Sequence, residues 1–598
     1  MKDKDERNLF TRRCFILGAI QGGLAVGLIG RLYVLQVLNR QHYQLLSDKN
    51  RIQSLDLLPT RGKLFDRKGV LLAGNQTTYR SLINLDEVKE VQLILAKLKP
   101  LIEMDDQILD RIHSQLKKRR KAFAILLKEN LSWEELSRLE LHAPDLPWLI
   151  IEKNQTRFYP YPEQTAHVIG YVAAINEKDL AKNPKLDLPG LKIGKSGLEN
   201  TQDEILRGYP GLKQVEVNAS QRIVRTLDTI ESESGQDLHL TLDFPLQKAV
   251  THSLQSTQSA AAVVLDVKTG AVLALVSHPS FNANLFTNGI GKNDWQTLIS
   301  HPDRPLNNKI VTGLYSPGST FKMIVGLAGL HRGAVNAHTP FYCPGHYDFH
   351  GQRFHCWNWK QGGHGTMTLE SAITQSCDVY FYQLANILGV DAIAQVAKDF
   401  GLGLPTGIEL PFEKAGLIPT RSWKQFHKGQ SWSRGDTLNV SIGQGYVLTT
   451  PLQLAKMTAM LANGFCPIDP HLLKKTTPVQ PSLPYTEADR RWIIQGMIGV
   501  VNNPQGTAYH ARIIQGGQEM AGKTGSTQVI RITERQRQQN THNEQSYHLR
   551  EHALFVGYAP LDRPRFAVCV VVEHGGSGAR AAAPLGRDIL TAAQQLVT

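Results

Sequence analysis

Cysteine is scarce in this chain: six residues, at positions 14, 343, 356, 377, 466 and 569, in 598. That is too few for a disulfide framework at this size. Composition carries no disorder signature, because apolar and charged residues occur in ordinary proportion. Only one long uncharged apolar run occurs, near the start, so a polytopic membrane protein is excluded. No A-x-A cleavage site follows that run, which argues against a removed signal peptide. Gly190 to Ser196 imitates a phosphate loop, but three residues separate its glycines where the loop needs four, and no buried strand precedes it. Nucleotide binding is not expected. The densest basic run, Lys117 to Lys121, lacks interleaved aromatics. It reads as a solvated helix end, and no nucleic-acid partner is expected despite a net charge of +13.

The apolar run sets the compartment. Residues 1–13 are charged and end in Arg12–Arg13; Cys14 to Gly30 holds no charge, and apolar character continues through Leu38. A helix needs about twenty apolar residues to span a bilayer, so this one spans if Arg31 snorkels to the interface. The reading is a cytoplasmic tail, 1–13, and an uncleaved single-pass anchor, 14–38, in an inner membrane. The preceding arginines place the rest of the chain on the outer, periplasmic side.

The remaining length exceeds one core, and an α/β, multi-domain α+β architecture is expected. Residues 39–236 read as a mixed region. Leu64–Ala73 suggests a hairpin around Asp66-Arg67-Lys68-Gly69, and Ala166–Val172 reads as a strand. Helical spacing of Leu, Lys and Glu marks an inserted helical lobe at about 86–150. Residues 237–598 form the second large domain. A helix begins near Pro245, and Ala260–Asp266 and Ala271–Val276 flank a tight turn at Lys268-Thr269-Gly270. Further strands fall at Ala553–Tyr558 and Arg565–Val572, with a closing helix at Asp588–Leu596. Strands at both ends of a helical middle imply one sheet closed by distant segments and flanked by helices.

Three short motifs lie in this domain in fixed order. Ser319-Thr320-Phe321-Lys322 precedes the apolar run Met323–Leu330, so Ser319 starts a helix with Lys322 one turn on. A spacing of three puts hydroxyl and amine on one face, where a neutral lysine can activate a serine nucleophile. Ser376-Cys377-Asp378 follows between two helical stretches and offers a hydroxyl and a carboxylate. Lys523-Thr524-Gly525-Ser526 is strand-like; the glycine lets a ligand backbone approach, and the lysine supplies charge for a carboxylate. Each motif alone is unspecific, and the ordered set is not.

The set S-x-x-K, S-x-N, K-T-G resembles that of the penicillin-binding proteins and serine β-lactamases. Asp378, where Asn is commoner, is similar to the elongation-type class B penicillin-binding proteins. Further segments resemble class B members: Arg61-Gly62, Asp66-Arg67, Gly69, Gly197-Leu198-Glu199, Leu206-Arg207-Gly208, Asn439–Gly445 and His552–Pro560. The resemblance implies a transpeptidase-like C-terminal domain on an N-terminal pedestal. It implies a peptidoglycan D,D-transpeptidase acting in cell elongation, with peptidoglycan stem peptides as substrates and β-lactam antibiotics as inhibitors. Ser319 would be the nucleophile, Lys322 the base and Ser376 a proton relay. Lys523 and Thr524 would hold the donor's carboxylate, and the N–H groups of Ser319 and Ser526 would form the oxyanion hole. Partners implied are a polytopic membrane glycosyltransferase and other rod-elongation proteins. Competing readings are a membrane-anchored β-lactamase or D,D-carboxypeptidase, and a β-lactam-binding sensor or scaffold. The long N-terminal region argues against the first pair and the short cytoplasmic tail against the last.

No cofactor is expected for catalysis. Cys343, Cys356 and Cys377 nevertheless crowd the span between the first two motifs, and His364 lies among them between Gly363 and Gly365. Cys₃His suits a closed structural zinc site. A Cys343–Cys356 disulfide, or three unlinked thiols, are the alternatives.

Overall fold

The computed structural model describes residues 2–39, 52–84, 97–102, 124–188, 190–217, 223–475, 480–529 and 547–597. Helix α1, Lys2–Tyr33, continues through one wider turn at Val34–Leu38. Within it Cys14–Leu38, with mean hydropathy 1.6, is long and apolar enough to cross a membrane and fits a single-pass anchor. The basic run 117–121 lies outside the described residues.

The chain divides into two compact units. The first takes 1–60, 79–154 and 208–234. In it Ile52–Leu57, Gly211–Val217 and Ile223–Ile230 make an antiparallel sheet. The expected helical lobe, 86–150, is mixed among its described residues. Ala124–Lys128 is a strand paired with Ser81–Asn84, and Trp133–Leu141 is a helix. A five-residue apolar run fits either state, and here pairing decides it as strand. Ser132 and Glu135 cap the helix reciprocally, and Leu136 and Leu139 pack with Ile83, Leu127 and Trp148.

The second unit takes 61–78, 155–207 and 235–598. Leu64–Phe65 turns back through Gly69, at φ +90°, to pair with Leu71–Ala73. Ala166–Val172 is not one strand: Ala166–Ile169 is helical, Gly170 stops it at φ +80°, and a strand covers only Val172–Ala174. Its apolar residues are buried in either state, so the run alone did not reveal the break. Glu199 is buried between Arg157 and Arg61, accepting from their Nε atoms at 2.6 and 2.7 Å. Burial works to raise this carboxyl, but the two guanidiniums outweigh it and the net shift is downward.

The core of this unit is a five-stranded antiparallel sheet. Its strands are β1 (Ala260–Asp266), β2 (Val272–His278), β3 (Ala521–Thr527), β4 (His552–Ala559) and β5 (Phe566–Val572). The order is β2-β1-β5-β4-β3, so sequence-distant segments do close the sheet. Nearly every strand residue is buried, which requires cover on both faces. Helices α2 (Phe244–Leu254) and α7 (Ala583–Leu596) form one layer; α5 (Pro451–Ala462) and α6 (Glu487–Asn502) form the other. Two further helices, α3 (Lys322–His331) and α4 (Asp378–Leu388), pack on each other and carry the first two motifs.

Candidate active site and cysteine cluster

Ser319 does not open an α-helix directly. It lies in a 3-10 turn, Gly318–Phe321, and α3 begins at Lys322. Residues three apart eclipse in such a turn, so Ser319 and Lys322 still share a face. Gly318 is required here. Its φ is +56°, its N–H donates to Gly443 O at 2.9 Å, and a Cβ would lie 2.7 Å from Thr527 Cγ2. This turn therefore presses against the end of β3. Ser319 is half-buried, whereas Lys322 is wholly enclosed.

Lys322 Nζ directs its donors at the second motif. It reaches Asp378 Oδ1 at 2.7 Å, Ser376 O at 2.9 Å and Ser376 Oγ at 3.2 Å. Ser376 sits between the helix Leu369–Thr374 and α4 with φ +55°, a left-handed conformation uncommon for serine. Burial raises the Asp378 carboxyl, against the pull of Lys322. Asp378 Oδ2 also accepts from Trp357 N at 3.0 Å.

The third motif occupies β3, which pairs only with β4 among the described strands and so is the sheet's edge. Lys523 is fully buried, and its Nζ donates to Thr524 O at 3.2 Å. Burial, followed by the charge of Lys322, holds its ammonium well below the ordinary lysine range. Thr524 Oγ1 lies 2.8 Å from Thr507 Oγ1. Gly525 is packed so that a Cβ would meet Pro317 O at 3.0 Å, and Ser526 Oγ accepts from Gly578 N at 3.0 Å. Thr507, Gly578 and Trp357 carry no sequence signal, because each reaches the site only through the fold.

Cys343, Cys356, His364 and Cys377 come together, with one candidate ligand atom from each lying within 4.8 Å of the others. No disulfide joins Cys343 and Cys356; all six cysteines are free. His364 Nδ1 lies 3.5 Å from Cys356 Sγ and 3.7 Å from Cys343 Sγ. Sulfur ligands about 2.3 Å from a tetrahedral zinc stand roughly 3.8 Å apart, so the donor set fits that ion. Hydrogen bonds from Cys356 and Cys377 pull the Cys343 thiol down, and Cys343 and Cys356 push Cys377 up. The Cys356 thiol also moves down, the push from Cys343 being outweighed by hydrogen bonds with Cys377 and His364. Asp378 N donates to Cys356 Sγ at 3.3 Å, which ties the cluster to the second motif.

Residues 260–591 match the penicillin-binding protein transpeptidase domain, and 56–240 match the penicillin-binding protein dimerisation domain. The chain belongs to the penicillin-binding protein transpeptidase family. Its activity is peptidoglycan D,D-transpeptidation. This penicillin-binding protein is 37% identical to the peptidoglycan D,D-transpeptidase MrdA of Acinetobacter baumannii, over 98% of this chain and 88% of that one. It resembles the solved complex of PBP2 with MreC from Helicobacter pylori, with TM-score 0.80 and 28% identity over 91% of this chain and 99% of that one. A solved peptidoglycan synthase complex, described as coordinating polymerisation and crosslinking, holds a chain with TM-score 0.71 and 31% identity, covering 96% and 97%.

Proposed function

We propose that Ser319 is the nucleophile of this transpeptidase and that Lys322, Ser376 and the β3 edge complete its machinery. The observation that carries the reading is the convergence of Lys322 Nζ on both Ser376 oxygens and on Asp378, one turn from Ser319. Ser319 Oγ attacks the penultimate D-Ala carbonyl and its proton passes to Lys322. The carbon–nitrogen bond breaks, and Ser376 relays a proton to the departing D-Ala amine. A stem-peptide amine then attacks the ester and frees Ser319. The donor lies along β3 as an added strand, with its carboxylate on the Thr524 side and Lys523 contributing charge from behind. The N–H groups of Ser319 and Ser526 hold the oxyanion, a contribution of about 2.7–4 kcal/mol per donor. A β-lactam follows the first half of this path and remains as an ester.

Cys343, Cys356, His364 and Cys377 hold structural zinc in this reading. Four protein ligands leave no open position for water, so the ion supplies cross-linking only. In this reading residues 39–236 form the pedestal domain and 237–598 the transpeptidase domain. Arg12 and Arg13 before the anchor support a cytoplasmic tail and a periplasmic catalytic domain in this reading. A transpeptidase makes no glycan, so the anchor and pedestal engage a polytopic polymerase and a rod-elongation partner of the MreC kind.

Intact-mass analysis after penicillin treatment tests the core assignment. The wild type should gain one penicilloyl mass and hold it for many minutes. Ser319→Ala should gain none, and stoichiometric labelling of that variant would overturn the assignment.

A further inference from the structure

Glu573 follows β5 immediately and belongs to none of the three motifs. Its carboxylate is held at both oxygens: Tyr315 Oη donates to Oε1 at 2.8 Å and Ser259 Oγ donates to Oε2 at 2.5 Å. Its main chain is held too. Its N–H donates to Ser259 O at 2.9 Å, and Tyr547 Oη donates to its carbonyl at 3.1 Å. Burial, reinforced by the carboxylate, lifts the Tyr315 phenol well above its ordinary value, so it stays a donor.

Tyr315 stands four residues before Ser319. Its main chain is bridged to Thr449 by two hydrogen bonds of 2.9 Å, and Gly318 is fixed to Gly443. The short stretch entering the nucleophile turn is thus anchored on one side by main chain and on the other by Glu573. The segment that starts with Glu573 reaches the third motif at its far end. Gly576 N donates to Glu551 O at 2.8 Å, and Gly578 N donates to Ser526 Oγ at 3.0 Å. A Cβ at Gly578 would lie 2.1 Å from Gly525 O, so main chain rests directly on β3. Residues 573–578 therefore touch both the approach to Ser319 and the strand bearing Ser526.

We propose that Glu573 is a positioning residue for acyl transfer: by clamping Tyr315 to the segment that also braces Ser526, it sets the spacing of the two N–H groups that receive the oxyanion. The proposal rests on Ser319 being the nucleophile. Oxyanion donors act only when placed at hydrogen-bonding distance from the developing charge, so a small shift of one half of the pair lowers the rate without weakening encounter with ligand.

The test uses the full chain in detergent and stopped-flow acylation by a fluorescent penicillin, which separates the ligand's dissociation constant from the limiting acylation rate. Tyr315→Phe and Glu573→Ala should each lower the limiting rate by on the order of tenfold to a hundredfold. The dissociation constant should stay unchanged, and labelling should still reach one per chain. Glu573→Gln keeps an oxygen acceptor for Tyr315 and should recover most of the rate. Wild-type limiting rates in Tyr315→Phe and Glu573→Ala would overturn the proposal. So would losses confined to the labelled fraction, which mark misfolding and not misplacement. Ser319→Ala is run in parallel. If it labels, the nucleophile assignment fails and this proposal with it; if it does not label and Tyr315→Phe is fast, only this proposal fails.

Discussion

Lys322 and Asp378 meet at 2.7 Å although 56 residues separate them in the chain. The pair joins the first residue of α3 to the first residue of α4. Lys322 has no exposed surface, so protein groups alone satisfy its amine. Asp378 is also the point where Lys322 and the cysteine cluster share a neighbour. One of its oxygens faces Lys322 and the other accepts from Trp357, next to Cys356.

Asp378→Asn splits these two duties. An amide puts an oxygen at only one of the two positions that face Lys322 and Trp357 N, and an NH₂ donor at the other. Acylation should persist, because Lys322 retains Ser376 and an amide oxygen, but stability should fall by about 1.5–3 kcal/mol, the scale of a hydrogen bond to a charged group. Thermal melts and penicillin labelling of the same preparation check both halves. Complete loss of labelling in a folded Asp378→Asn would show that the charge itself is required.

Lys523 predicts a pH dependence. Its folded value lies well below the ordinary lysine range, with burial the first cause. Between the folded and unfolded values the unfolded chain binds more protons, so this residue's contribution to stability rises with pH. Binding has the opposite sign. A carboxylate ligand favours the charged lysine, so acylation should fall as pH rises through the depressed value. The acylation rate measured against pH should show that alkaline fall in wild type and lose it in Lys523→Arg, which stays charged. An identical fall in both proteins would assign the titration to another group.

Metal removal should act on the second motif. Protein purified without added metal or a histidine tag should carry about one zinc per chain, the number expected of a closed Cys₃His site. His364→Ala should lose the metal, melt earlier and acylate more slowly. Metal-free wild-type protein with full stability, in elemental analysis and a melt, would reject the zinc reading and leave Ser319 untouched.

Glu199 provides a stability test away from the chemistry. It is buried between Arg61 and Arg157, and Glu199→Gln leaves Arg157 without a counter-charge and Arg61 with Asp203 alone. Breaking such a buried pair costs about 3–5 kcal/mol. Denaturant unfolding should register that loss; a change below about 1 kcal/mol would place the pair in the weak class of exposed bridges.

The parts legible in the sequence were those fixed by local spacing. Three residues from Ser319 to Lys322 give a shared face in either kind of helical turn, so the pairing was readable although the 3-10 geometry was not. Strands β1 and β2 were readable from apolar runs around Lys268-Thr269-Gly270. The cysteines and His364 were readable as a group because few other cysteines compete. What escaped depends on distant packing. Ser376 has a left-handed backbone and its carbonyl accepts from Lys322, and no residue near it announces that. Lys523 is buried because α6 and the Gly318–Phe321 turn pack on β3, which no spacing near it reveals. Ala124–Lys128 and Ala166–Ile169 were misjudged for a common reason: short apolar runs suit both helix and strand, and only their partners choose.

Among the described strands β3 has one neighbour, β4, and its outer edge presents main-chain groups. A side chain can be exchanged by mutation, but a peptide N–H or carbonyl cannot. An inhibitor gripped chiefly along this edge would therefore leave few routes to resistance by direct contact loss. Escape would have to come from residues that shift the strand as a whole, at Gly318, Gly525 or Gly578, where added bulk meets neighbouring atoms at once. Those same shifts would disturb the natural stem peptide, so drug escape and wall synthesis are coupled through the backbone of a single strand.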